Sequence, residues 1–226
     1  QEYDLLGASD RQTISPETPL VLGPFRIEFL RMCHSVPDAI GLAIETPEGI
    51  IIHSGDFKLD PAPIDGRLCD IEKIAFLGRK GVLALLSDST NVENLRETRS
   101  ESIIRPAFEE IFRTAAGRIL IATFSSNIHR IQQALLLAHV FKRKVALVGR
   151  SMVSNVRIAS ELGYLALPPD TLVDIKEIED IKDQSLAILS TGSQGEPMSA
   201  LALMASSRHK YLKVKEGDTI IFSSRF

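Results

Sequence analysis

The sequence predicts an α/β fold, and three observations carry that expectation. From Leu20 to Ser87 apolar residues either alternate with polar ones or form short unbroken runs, which is strand patterning. From Ile103 onward, short apolar runs alternate with segments of helical spacing, the signature of a parallel sheet covered on both faces. Third, the 226 residues are 44% hydrophobic and 24% charged, a composition that builds a buried core and excludes disordered, collagenous and disulfide-miniprotein classes. The change of style places a domain boundary after residue 90, giving domains over 1–90 and 91–226.

In the first domain, Phe25, Ile27 and Phe29 alternate with polar or basic residues as in a half-buried strand. The runs 41–46 and 50–53 flank Pro47-Glu48-Gly49 and read as a hairpin. Val82 to Leu86 is an unbroken apolar run, expected to be a strand buried on both faces.

In the second domain Ile103, Ala107, Phe108, Ile111, Phe112 and Ala115 recur at helical spacing, with Gly117 as the expected C-cap and Pro106 pushing the helix start toward 102–105. There follow a strand over 119–124, a helix over 128–141, a strand over 145–148 and a helix over 151–162. A strand over 186–189, a helix over 198–205 introduced by Pro197, and a strand from Ile220 complete the alternation.

The net charge of −3 supplies no global pull toward nucleic acid, and it does not exclude a local phosphate site. No apolar run reaches 18 residues, so no membrane span is expected. Two cysteines are too few for a disulfide framework and point to a reducing compartment, with Cys33 and Cys69 as small buried hydrophobes. The chain begins without Met or a secretory leader and ends inside an apparent strand, which leads us to expect a fragment of a longer chain.

Several polar groups sit where strands end. His34 follows one strand, and His53-Ser54-Gly55-Asp56 ends another, with Gly55 bending the chain so that Asp56 projects at the edge. An imidazole and a carboxylate on neighbouring strand ends make half a zinc or manganese site, although either residue alone is more often an ordinary turn or core residue. Ser87-Asp88-Ser89-Thr90-Asn91 reads equally as an Asx turn or helix cap. Ser125, Ser126 and Asn127 precede a helix, where hydroxyls, a carboxamide and free amides can cradle a phosphate or simply cap the helix. His129 and Arg130 in the next turn face either a groove or solvent. Ser190 to Glu196 and Gly149-Arg150-Ser151 are further strand-to-helix loops, which a parallel sheet gathers at its carboxyl edge. His139 reads as a packed or helix-end residue, and His209 lies in a basic stretch expected on the surface.

Five blocks together resemble the metallo-β-lactamase superfamily, and most closely the ribonuclease J family. They are His34-Ser35-Val36-Pro37-Asp38; His53-Ser54-Gly55-Asp56-Phe57-Lys58; Ser87-Asp88-Ser89-Thr90-Asn91; Ala122-Thr123-Phe124-Ser125-Ser126-Asn127 with Arg130; and Ser190-Thr191-Gly192-Ser193-Gln194-Gly195-Glu196-Pro197. The resemblance implies a partial αββα metallo-β-lactamase domain followed by a Rossmann-like β-CASP domain. It further implies that His34 and Asp56 are metal ligands, Asp56 bridging two ions, and that Asp56 and Asp88 serve catalysis. Ser125, Ser126 and Asn127 then contact the substrate.

The expected activity is metal-dependent hydrolysis of RNA phosphodiesters, both 5′-exonucleolytic and endonucleolytic. Two Zn(2+) ions per active site are the implied cofactor, with Mn(2+) or Mg(2+) as alternatives. Single-stranded RNA bearing a 5′ monophosphate is the implied partner, with no membrane, a homo-oligomeric parent, and a cytoplasmic or plastid-stromal location. The family's H-x-H-x-D-H motif belongs before Gln1, and its H-x-S-G-H motif and last metal His belong after Phe226. With two of the ligands present, this chain alone is expected to be inactive. The rival readings are another hydrolase of the same fold acting on DNA or small esters, and a non-catalytic module binding RNA or a nucleotide. Cleavage of RNA against matched DNA separates the first. The absence of a Gly-rich nucleotide fingerprint weighs against the second.

Overall fold

The computed structural model describes residue 7 and residues 9–90, 92–94 and 99–224. The α/β class is as expected, and the chain divides into two compact units: Gln1–His34, Asp38–Leu59 and Leu68–Thr98 in one; Ser35–Pro37, Asp60–Arg67 and Arg99–Phe226 in the other. No helix among the described residues is long and apolar enough to cross a membrane.

The first unit is built on a five-stranded sheet in sequential order: β1 (Leu20–Leu22), β2 (Phe25–Arg31), β3 (Ile40–Thr46), β4 (Gly49–His53) and β5 (Ala84–Leu86). The first four strands are antiparallel neighbours, and β5 pairs parallel to β4. The parallel return needs a crossover, supplied by α1 (Ile71–Lys80), a helix the apolar spacing had not suggested. Its core is Leu30, Met32, Ala43, Ile52 and Leu77. The expectation for residues 82–86 is corrected here. β5 is an edge strand with every residue exposed, and Leu85 keeps 64% of its surface accessible. An unbroken apolar run reports that both faces are apolar, not that both are covered.

The second unit carries a five-stranded, wholly parallel sheet in the order β10-β6-β9-β7-β8. Its strands are β6 (Ile119–Ala122), β7 (Lys144–Val148), β8 (Leu172–Val173), β9 (Leu186–Ser190) and β10 (Thr219–Phe222), and its helices are α2 (Ile104–Thr114), α3 (Ile128–Val140), α4 (Arg150–Glu161) and α5 (Ala200–Ala205). β9 enters between β6 and β7, so the order departs from a simple doubly wound sheet.

Strand alternation divides the core in two. Ile119, Ile121, Ala187 and Leu189 pack with residues of α2, α3 and α4, whereas Leu120, Ala122, Leu186 and Ile188 pack with Ala200, Leu201 and Met204 of α5. That double burial is why β6 and β9 read as unbroken apolar runs.

Boundaries shift where chemistry competes with periodicity. Pro106 is the third residue of α2, inside the first turn where its missing N–H costs no helical bond. Ala115, not Gly117, ends α2. Gly117 is needed for another reason: a Cβ there would lie 2.2 Å from the Gly217 carbonyl oxygen. Pro197 does not open α5, which starts at Ala200 with the Ser199 hydroxyl accepting from the Ala202 amide.

The amino edge of this sheet is held by two buried arginines. Arg118 donates twice to Asp218, from Nε to Oδ1 at 2.7 Å and from Nη2 to Oδ2 at 2.6 Å, and also to the Lys213 carbonyl. Arg143, just before β7, donates to the carbonyls of Ala115, Gly117 and Leu186. The Arg118 and Asp218 side chains are 8% and 2% exposed, so removing one charge strands the other away from water. Asp218→Asn should therefore destabilise the chain by roughly 3 kcal/mol, read as a lower midpoint in urea unfolding. An unchanged midpoint would show the pair to be dispensable.

Candidate functional site

In the first unit β2, β4 and β5 all run the same way, because two antiparallel steps restore direction and the step to β5 is parallel. Their carboxyl ends share one edge of the sheet, and His34, Asp56 and Asp88 follow those ends. Gly55 makes the turn after β4 in the left-handed region at φ 61°, and a Cβ there would lie 2.4 Å from the Ile40 carbonyl oxygen. The neighbouring backbone is stitched together. Ser54 N–H donates to the Leu86 carbonyl at 2.9 Å, and its hydroxyl accepts from the Asp88 amide at 2.8 Å. Lys58 N–H donates to the Cys33 carbonyl at 2.8 Å. Asp56 therefore stands on a short segment anchored to the end of β2 through Lys58 and to Asp88 through the Phe57 amide.

Asp88 is half-buried, and one carboxylate oxygen accepts from the Thr90 hydroxyl at 2.6 Å and the Thr90 amide at 2.9 Å. These bonds, the hydroxyl foremost, hold its pKa below the ordinary 3.8. The Phe57 amide and the nearby His34 add to the effect, and partial burial opposes it. The Asx-turn reading of this segment is thus realised, while Asn91 lies outside the described residues. His53, exposed, accepts from the Gly55 amide through Nδ1 at 3.0 Å. His34, Asp56 and Asp88 share an edge without converging: among the described residues no group of three or more His, Cys, Asp or Glu could hold a metal ion. The residues described do not make up a complete metal site.

In the second unit the carboxyl ends of β6, β7, β9 and β10 lie on one edge, opposite the two arginines. The loops there are cross-linked. Thr123 N–H donates to the Ser190 carbonyl, its hydroxyl to the Ser223 carbonyl, and the Ser224 hydroxyl to the Ser193 carbonyl. Ser125, after β6, receives Asn155 Nδ2 of α4 on both its carbonyl and its hydroxyl, at 2.9 and 3.2 Å. Ser126 is exposed. Asn127 caps α3, its side-chain oxygen accepting from the Arg130 amide at 3.0 Å, and the Ile128 amide is taken by the Ser126 carbonyl. Two of the first α3 amides are thereby spent, which weakens the phosphate-cradle reading of this helix end.

Arg130 faces neither a groove nor solvent. It is buried, with Nε and Nη2 on Glu101 and Nη1 on the Ser223 carbonyl and hydroxyl. Its guanidinium ties Glu101, the first residue of the 3-10 turn that leads into α2, to the end of β10. His129 stands 3.9 Å from Asp65. His139 pairs with the Thr171 hydroxyl, and His209 is a half-buried turn residue accepting from the Tyr211 and Leu212 amides, with burial pushing its pKa down.

The β9 loop holds a feature the sequence did not single out. The hydroxyls of Ser190 and Ser193, at 0% and 1% exposure, have no hydrogen-bond partner among the described residues. A buried hydroxyl at a strand end or in a loop carries no periodic signal; only the accounting of donors and acceptors exposes it. Gly192 there is at φ 108°, where a Cβ would meet the Ser199 hydroxyl at 2.3 Å.

Residues 116–226 match the family described as "Ribonuclease J, beta-CASP domain". The chain is 44% identical over 225 residues to Ribonuclease J of Synechocystis sp., covering 99% of this chain and 35% of that protein. It is 45% identical over 219 residues to Ribonuclease J of Thermus thermophilus, covering 96% and 38%, and 37% identical over 224 residues to Ribonuclease J2 of Bacillus subtilis, covering 99% and 40%. The chain thus spans well under half the length of these curated relatives. A crystal structure of a protein of unknown function from Enterococcus faecalis V583 aligns with a TM-score of 0.56 at 15% identity, over 80% of this chain and 44% of the other. That likeness concerns the fold.

Two outcomes follow from the geometry. Asn127→Ala should cost about 1 kcal/mol of stability through loss of the α3 cap, whereas Asn127→Asp should keep it; thermal unfolding of the two variants checks this. Because the folded pKa of Asp88 is depressed, its bonds contribute fully above 3.8 and are lost as pH falls through the lowered value. The Thr90 amide should accordingly lose exchange protection in that acid window, and Asp88→Ala should abolish the step.

Proposed function

The chain belongs to the ribonuclease J family, and on that premise we propose that it is part of a ribonuclease that hydrolyses the phosphodiester bonds of single-stranded RNA. The observation that carries the reading is the carboxyl edge of the second sheet. Four parallel strands end there in loops of Ser, Thr, Asn and Gly, with short donors and close backbone approach suited to a sugar–phosphate chain. One edge collecting several such loops fits an extended strand better than a compact cofactor.

In this proposal Ser125 and Ser126 donate to backbone phosphate. Asn127 acts through the cap that fixes their orientation, its amide nitrogen being the atom left to face RNA. Asp56 and Asp88 serve the hydrolytic centre, which acts from a 5′-monophosphorylated end and also internally. His34 and Asp56 contribute ligands to zinc, or to manganese or magnesium, in the full-length gene product, where other donors complete the set. A homo-oligomer in the cytoplasm or plastid stroma is part of the same proposal.

RNA binding tests the second unit directly. Affinity of this chain for a 5′-monophosphorylated single strand, measured by fluorescence anisotropy, should fall by roughly fivefold to a hundredfold in Ser125→Ala/Ser126→Ala, from two lost hydrogen bonds of about 0.5–1.5 kcal/mol each. Wild-type affinity in that variant would remove these serines from the substrate site. In the full-length gene product, His34→Ala or Asp56→Ala should lose bound zinc and RNA cleavage together. Zinc retained at an unchanged cleavage rate would sink the metal assignment.

A further inference from the structure

Cys33 and Cys69 are the two cysteines of the chain, 36 residues apart and not joined in a disulfide. The Cys33 amide donates to Cys69 Sγ at 3.0 Å. Flanking bonds hold this alignment: the Asp70 amide donates to the Arg31 carbonyl at 3.0 Å, and the Arg31 amide donates to Asp70 Oδ2 at 2.8 Å. Lys58 closes the arrangement, its amide donating to the Cys33 carbonyl at 2.8 Å and its carbonyl lying 3.5 Å from Cys69 Sγ.

The end of β2 and residues 69–70 thus lie side by side. An amide nitrogen is roughly 1.5 Å from its own α-carbon, so a 3.0 Å contact to the partner sulfur sets the α-carbons near the 4.4–6.8 Å span that a disulfide bridges. Cys33 is buried and Cys69 half-buried, so oxidant reaches Cys69 first.

We propose that Cys33 and Cys69 form a redox-active dithiol, oxidised by a small-molecule disulfide such as oxidised glutathione to an intramolecular disulfide. Cys69 thiolate attacks one sulfur of the oxidant, forming a mixed disulfide and expelling one glutathione thiolate. Cys33 then attacks the Cys69 sulfur, breaking the mixed disulfide and releasing the second glutathione. Two protein thiols are oxidised and one glutathione disulfide is reduced to two thiols, with the two protons passing to the departing thiolates. The closed loop contains β3, β4, His34 and Asp56, so oxidation constrains the segment that follows β2 and carries Asp56. The inference does not depend on RNA or on metal.

The test equilibrates the 226-residue chain in glutathione redox buffers, quenches by alkylation, and reads intact mass, peptide map and melting temperature. The expected result is joint loss of both alkylatable thiols, a Cys33–Cys69 linked peptide in a monomeric chain, and a melting temperature several degrees higher that dithiothreitol reverses. Cys33→Ser should stop at a single glutathione adduct on Cys69, and Cys69→Ser should leave Cys33 largely unmodified. Two thiols that stay free across the series would overturn the proposal. So would separate glutathione adducts on each cysteine of the wild type, or a bridge between chains.

Discussion

Parallel pairing is the constraint on which the second unit depends. Strands that all run one way put every strand-to-helix loop on one edge and every helix-to-strand entry on the other. The two edges are then built differently. The entry edge is closed by Arg118 on Asp218 and by Arg143 on three carbonyls, groups that are buried and fully committed. The exit edge carries small polar residues in cross-bonded loops, and two hydroxyls there have no partner among the described residues. A rigid amino edge leaves the carboxyl edge free to be polar, since the core between them does not rely on it.

The first unit reaches a similar result by another route. Its sheet is mixed, yet β2, β4 and β5 share a direction, so His34, Asp56 and Asp88 come to a common edge from three places in the sequence. Ser54 does much of the joining, bonding to Leu86 and Asp88 on the adjacent strand end. Gly55 is obligatory at its turn because any side chain would overlap the Ile40 carbonyl. The edge supplies donors of the right chemistry without bringing three together.

Several polar residues of the second unit are committed to the fold. Asn127 spends its oxygen on the α3 cap, and Ser125 accepts from Asn155. Arg130 is absorbed by Glu101 and Ser223. These residues preorganise the loop after β6, and Ser126 is the exposed side chain of the trio. The cap uses one atom of a carboxamide that has two polar ends.

The alternation of strand and helix after residue 100, the hairpin around Pro47-Glu48-Gly49 and the blocks at strand ends were all legible in the sequence, because each rests on local periodicity or on the φ that glycine permits. The α/β class and the family follow from those features. Burial was legible for β6 and β9 but not for every apolar run. The run at 82–86 has the composition of a covered strand and is an exposed edge, since periodicity records which faces are apolar and not what lies against them. Nor could spacing reveal that β9 inserts between β6 and β7, that Arg130 is buried, or that Cys33 meets Cys69 across 36 residues. Strand order and long-range partners arise from packing between segments remote in sequence. Only the tertiary structure decides which polar atom is consumed by the fold and which remains available.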